Sequence, residues 1–296
     1  MATTVSSGFR FGWLLALAAA ALPAAGWAQD AFKRVAQRDQ INLGYREDAP
    51  PFSFLDAKRQ PVGYSLDFCR AMAERIRLET GKPNLRIKLI PVAADQLERV
   101  VSSGGVDLMC AGTSDTAARR ERMAFSQPVF ISSVKFMVPA KARLTTAAQL
   151  AGKTVAVLGR TTAESAVKAY AERTGVAIKV ARVVSPEAAL SQLQLGQAAA
   201  FARDEVLLLN QRAGLANPDS LALLPESIST ETIAIALPRG DAGLQRVADQ
   251  TMALMVRSGQ AEALYAQWFV KPHAGAPKGL NLPLSPALKA EFDKLR

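Results

Sequence analysis

Two stretches decide the architecture: Phe130-Ile131-Ser132-Ser133-Val134-Lys135-Phe136-Met137-Val138, and Glu231-Thr232-Ile233-Ala234-Ile235-Ala236-Leu237. Both read as long strands, because β-branched and aromatic residues dominate them and proline is absent from their interiors. Around them, short apolar runs alternate with amphipathic stretches. Before the first, strands are expected over 41–44, 85–90 and 106–110, with helices over 66–78 (Ser65 as N-cap), 95–101 and 116–123. Between the two, helices over 147–150, 163–173, 186–195 and 205–212 alternate with strands over 154–158, 177–183, 199–202 and 221–224. Helices over 242–257, 261–269 and 286–295 follow the second. Ser185 as cap, Pro186 at the first helical position and Gly196 past the end bracket one of these helices.

Strand–helix alternation predicts parallel sheets of the α/β class. Two such arrays separated by two long strands predict a first lobe, 29–133 with 235–296, interrupted by a second, 134–234. Two backbone crossings between lobes make a hinge. Two independent domains would need a linker, and no Pro/Gly/Ser-rich stretch separates the arrays.

Residues 1–28 read as a secretory signal peptide. Arg10 precedes an apolar run over 11–22, Pro23 interrupts it, and Gly26 and Ala28 occupy the −3 and −1 places of a cleavage site. No cysteine follows where a lipoprotein signal needs one, so the mature chain is expected free in the periplasm from about Gln29. The net charge of +10 raises the question of nucleic acid. The basic residues are spread along helices, as at 117–122 and 289–296, without the stacking aromatics such a surface uses, which predicts a solvated basic face and no nucleic-acid partner.

Two cysteines, Cys69 and Cys110, would meet an oxidising compartment, where pairs tend to join. Their spacing leaves open a disulfide or two buried thiols. The single histidine, His273, lies in the loop Lys271-Pro272-His273-Ala274-Gly275. With no phosphate loop, nucleophile elbow or ligand cluster, neither metal, cofactor nor catalysis is expected.

In open parallel sheets a ligand binds beyond the carboxyl ends of the strands. Here those ends are polar: Tyr45-Arg46-Glu47-Asp48, leading to Phe52; Gly112-Thr113-Ser114-Asp115, leading to Arg119; Gly159-Arg160-Thr161-Thr162; and Arg203-Asp204-Glu205. Guanidiniums, helix-start hydroxyls and a carboxylate suit a zwitterion with an additional negative charge. Taken singly, Ser114, Thr162 and Asp204 are equally good helix caps; their joint placement at strand ends favours a ligand site.

At these residues the chain resembles the periplasmic solute-binding proteins for polar amino acids, nearest their glutamate/aspartate branch. The likeness runs through Ile41-Asn42-Leu43-Gly44-Tyr45-Arg46, Pro51-Phe52-Ser53-Phe54, Gly63-Tyr64-Ser65-Leu66-Asp67, Ala124-Phe125-Ser126, Ala200-Phe201-Ala202-Arg203-Asp204, Trp268-Phe269 and the tail from Gly279 to Phe292. The ordered series carries it, since no single motif is diagnostic. The resemblance implies a type II periplasmic binding fold, two Rossmann-like lobes on a two-strand hinge. It implies a non-enzymatic monomer without cofactor, which captures an amino acid and delivers it to an ABC permease in the inner membrane.

Residue by residue, the family pattern assigns the ligand α-carboxylate to Arg119, helped by Ser114 and Thr161 or Thr162. It assigns the α-ammonium to Asp204 with the Gly112 carbonyl. Arg46 falls where the ligand side chain is faced, which argues for an acidic amino acid. Ala94, Leu97 and Pro186 depart from the branch, which has a serine, an arginine and a histidine there, and Phe52 with Ala94 and Leu97 would offer apolar contact. The family's usual partner for Cys110 corresponds to Ile235. The rival is a periplasmic dehydratase of prephenate-like acids on the same fold, for which Glu47, Asp48 and Glu164 are the candidate proton donors.

Overall fold

The computed structural model describes residues 1–4 and 31–296. The expected signal segment, beyond its first four residues, lies outside them.

Helix α1 (Ala31–Arg38) leads into β1 (Gln40–Tyr45), and a small antiparallel sheet follows, β2 (Asp48–Ala49), β3 (Ser53–Leu55) and β4 (Pro61–Val62). The first array continues with α2 (Tyr64–Thr80), β5 (Arg86–Pro91), α3 (Leu97–Ser102), β6 (Leu108–Ser114), α4 (Ala117–Arg120) and β7 (Met123–Phe125). The long strand β8 (Phe130–Pro139) opens the second: β9 (Thr154–Leu158), α5 (Thr162–Thr174), β10 (Lys179–Val183), α6 (Pro186–Gln194), β11 (Ala200–Asp204), α7 (Glu205–Ala213) and β12 (Leu221–Leu223). The second long strand, β13 (Ser229–Pro238), returns to α8 (Ala242–Arg257), α9 (Gln260–Tyr265) and α10 (Pro286–Asp293).

The principal sheet runs in the order β10-β9-β11-β8-β13-β6-β1-β5. Its flanks are parallel, β1 with β5 and β6, and β9 with β10 and β11. Its middle is antiparallel: β13 pairs with β8 from Ser229↔Val134 to Ile233↔Phe130, β8 continues onto β11, and β13 continues onto β6 and β7. The expected long strands are therefore the pair that joins the two flanks, β8 lying beside β11 and β13 beside β6. Burial follows the same division. On one side Ile41, Leu43, Phe68, Met72, Val247 and Met252 form a core, backed by Val101, Met109 and Ala236. On the other, Val155, Val157 and Val167 pack on one sheet face and Leu193, Phe201 and Leu208 on the opposite one.

Several expectations needed correction. The helix expected over 116–123 stops at Arg120, because Met123 and Phe125 are buried in register with Pro238 and Ala236 as strand β7. Helix α2 starts one residue before Ser65, which is itself buried, after Gly63 at φ +140°. That φ belongs to glycine, and a Cβ at Gly63 would collide with the Phe52 carbonyl. The stretch 147–150 is a 3-10 turn held by a Thr146/Gln149 capping box, and 266–270 forms a π turn after α9. Helix α1 and the β2–β4 sheet were missed: the three strands span two or three residues each, too few for an alternation to register.

Cys69, on α2, and Cys110, on β6, form a disulfide with Cα atoms 6.0 Å apart. This resolves the alternative left open by spacing: both residues are fully buried where α2 packs on β6, so neighbouring elements face their thiols at one another. The bond closes a loop with a sequence separation of 41. In the chain-entropy account, Cys69→Ser with Cys110→Ser is expected to lower stability by about 3–4 kcal/mol in urea unfolding, and a loss below about 1 kcal/mol would show that the packing already fixes α2 on the sheet.

Candidate ligand-binding site

The carboxyl ends of β1, β6, β9 and β11 converge on one small cavity of about 40 Å³. Arg46, Gly112, Ser114, Arg119, Thr161, Thr162 and Asp204 all line it, completed by Ala49, Ala94, Leu97, Leu158, Ala163, Ala202, Arg203 and Leu207. Room for about three water-sized groups remains between its two faces. Among the described residues two side-chain hydrogen bonds join them across the cavity: Ser114 Oγ lies 3.2 Å from Thr162 Oγ1, and Arg203 Nη2 donates to the Asp48 carbonyl at 3.0 Å.

Arg119 is 8% exposed. The Thr116 hydroxyl accepts from the Arg119 backbone N–H and caps the short α4 that carries it. Its guanidinium donates from Nη1 to the Ser114 carbonyl at 3.0 Å and from Nε to Glu98 at 3.1 Å. Two bonds from one planar group fix its plane, which leaves Nη2 as the donor without a protein acceptor among the described residues. Ser114 is the last residue of β6, not a helix start, and Thr161 rather than Thr162 caps α5. Thr161 donates to the Leu158 carbonyl, whereas Thr162 donates to Glu231 Oε2 at 2.8 Å. The cap alternative therefore fails for Ser114 and Thr162, and the cap of α5 is Thr161, for which no such role was expected.

Asp204 closes β11 and makes no side-chain cap for α7. Its Oδ1 is buried and without a hydrogen-bond partner among the described residues. Burial, then the nearby charge of Glu231, raises its pKa to about 6, against an opposing pull from Arg203. Ser132 Oγ stands close enough to favour the charge, yet its geometry falls short of a hydrogen bond. An unpaired buried carboxylate is costly, and here it faces a cavity whose other end carries Arg119.

Two expectations meet a different geometry. Phe52, expected to touch a ligand, does not line the cavity: it is fully buried behind Gly112, where a Cβ would stand 2.6 Å from its ring, and it packs edge-on against Phe130 and Phe269. Arg46 does line the cavity, but Nε and Nη2 each donate to Asp48, both at 2.8 Å, so an internal pair already holds its charge. Pro186 is buried at the start of α6, outside the lining. His273 packs against Phe54 and Trp268, also outside it.

The sequence reading passed over Arg203 and Glu231. Strand-end position gives Arg203 no role, although a cation directly after the apolar run Ala200-Phe201-Ala202 is a signal in itself. Glu231 was taken as the start of a strand. Among the described residues no cluster of His, Cys, Asp and Glu could hold a metal, and no helix is long and apolar enough to cross a membrane.

Residues 41–271 match the family described as bacterial extracellular solute-binding proteins, family 3. The chain is 30% identical over 278 residues to the glutamate/aspartate import solute-binding protein of Escherichia coli K12, covering 94% of this chain and 91% of that one. It is 28% identical to the L-glutamate/L-aspartate-binding protein of Pseudomonas aeruginosa, covering 87% and 85% of the two chains. Among solved structures it is similar to an ancestral arginine-binding protein bound to glutamine, at a TM-score of 0.69 and 25% identity over 79% of this chain and 99% of that one. The fold is the type II periplasmic binding fold expected from the sequence.

The half-buried Asp204, with its Oδ1 shut off from solvent, gives a pH signature. Its folded pKa lies above the ordinary value of 3.8, so its contribution to stability is fully present below about pH 4 and is lost as pH rises through about 6. Asp204→Asn is expected to stabilise the protein, without added ligand, by about 2 kcal/mol at pH 7.5 and by almost nothing at pH 4. Urea unfolding at the two pH values checks this; an equal effect at both would mean the carboxylate is not strained by its burial.

Proposed function

The chain belongs to the bacterial extracellular solute-binding proteins of family 3, and from that premise we propose that it is the periplasmic receptor of an amino-acid ABC importer. In this reading it captures an acidic amino acid between lobes 29–133 with 235–296 and 134–234, and presents it to a membrane permease. Export through a cleaved signal over 1–28 is part of the same reading. The observation that carries it is the unpaired Asp204 on β11 and the anchored Arg119 beyond β6, facing one cavity from opposite sides of the β8–β13 crossing. A zwitterion offers one charge to each. The ligand can drive closure only through contacts that the closed form alone completes, and these two are of that kind.

Three arginines and one aspartate line the cavity, which supports a ligand with two carboxylates and one ammonium. Its relatives in Escherichia coli and Pseudomonas aeruginosa carry names for glutamate and aspartate, which supports the same choice.

The reading is of binding without turnover. Of the candidate proton donors, Glu164 is held by Arg182, Lys168 and the Arg160 N–H, with its pKa lowered to about 2 chiefly by Arg182, so it carries no proton to give near neutrality. Asp48 is the anion of the Arg46 pair, and Glu47 lies outside the cavity lining.

Titration calorimetry against a panel of amino acids tests the proposal. Glutamate or aspartate is expected to bind at about micromolar Kd or tighter, a free energy of about 8 kcal/mol. Arg119→Ala is expected to weaken binding by about a hundredfold or more. Heat from prephenate turnover, or no response to any amino acid, would sink the assignment.

A further inference from the structure

Arg203 is the best-buried charge in the cavity, 5% exposed, and its environment fails to account for it. Its hydrogen bond goes to a neutral acceptor, the Asp48 carbonyl, and among the described residues no carboxylate lies within ion-pair distance of it. The Asp48 carboxylate next to it is taken on both oxygens by Arg46. Asp204, its chain neighbour, acts on it only through space. Burial first, and the like charge of Arg46 second, pull its pKa down to about 10. Two guanidiniums thus approach one side of the cavity with the Asp48 carboxylate between them; Glu187, like Asp204, acts on Arg203 only through space, and the apolar neighbours Ala94, Leu97 and Leu207 supply no anion.

A buried cation without a counter-ion is costly to keep. A planar fork that uses one donor on a carbonyl still presents others to the cavity, in the geometry that grips a carboxylate. Arg119, held at the other side by Ser114 and Glu98, serves one carboxylate only. We propose that Arg203 is a specificity-determining residue: it receives the side-chain carboxylate of the bound amino acid and, reaching from β11 to the Asp48 loop, makes that carboxylate part of the closure between lobes. This rests on the amino-acid reading above and adds to it the residue that selects an acidic side chain. Arg46 then acts with it, keeping Asp48 turned away from the incoming anion. The competing account, in which Arg203 only offsets Asp204, predicts no dependence on the ligand's side-chain charge, because Asp204 serves the ammonium common to all amino acids.

The test is calorimetry on the full mature chain with glutamate, glutamine, aspartate and asparagine, in wild type, Arg203→Met and Arg203→Lys. Arg203→Met removes the charge at similar volume and is expected to weaken the acid of each pair by about 30-fold or more, and its amide by less than about threefold. Arg203→Lys keeps the charge without the fork and is expected to weaken the acids by about fivefold or more, again sparing the amides. Thermal unfolding shows whether each variant is folded; if Arg203→Met is not, the lysine variant decides. An equal loss for acid and amide, or an unchanged acid-to-amide ratio, overturns the role of Arg203 and leaves amino-acid binding standing. Wild type that binds none of the four, nor any other amino acid, overturns both readings.

Discussion

Everything in the crevice depends on the antiparallel pairing of β8 with β13. Each flank of the sheet is parallel, and a parallel array points all its carboxyl ends in one direction, where helix starts and strand-end loops gather the polar groups. A pair of strands that runs from one array into the other sets those two edges face to face. The pairing from Ser229↔Val134 to Ile233↔Phe130 is also where both strands pass between cores. Most of the apolar side chains pack separately on either side of it, although Val206 and Leu207 of α7 join the core built around Ile41 and Leu43.

The electrostatics of the crevice follow from that geometry. Asp204 and Arg203 end β11 of one parallel flank, while Ser114 ends β6 of the other, Arg46 follows β1 and Arg119 lies on α4 beyond β6. Open, each group is hydrated. Closed, each loses water, and the loss is repaid only where an opposite charge arrives with matched hydrogen bonds. Within the protein this holds for Arg46 with Asp48 and for Arg119 with Glu98 and the Ser114 carbonyl. It does not hold for Asp204 Oδ1, nor for Arg203, whose hydrogen bond goes to the neutral Asp48 carbonyl. In the proposed reading, selectivity and closure become one process, since the groups assigned to the ligand are the ones closure would otherwise leave unpaired.

The elements bounded by clear chemistry were legible in the chain. Ser185-Pro186 opening α6 and the valine-rich β9 fall at or within a residue of their expected ends. The strand-end rule also picked out seven residues that do meet on one cavity. It failed where contact rather than position matters. Met123 and Phe125 carry a helix-compatible pattern, and only the edge of β13 makes them a strand. Phe52 lies in the right loop, yet the absent side chain of Gly112 admits its ring into the aromatic cluster instead of the cavity.

The sequence by itself determined the alternation of strands and helices, the two long crossing strands and the polar character of the strand ends, because periodicity, caps and composition are local properties of the chain. Only the tertiary structure decided which charges remain available. Whether Arg46 is engaged depends on Asp48 folding back two residues away, and whether Arg203 is engaged depends on a loop 155 positions distant. The joining of Cys69 to Cys110 was settled in the same way, by α2 lying across β6. Hydrogen bonds and ion pairs act over a few ångströms, and distances of that size between remote residues do not exist until the chain has folded.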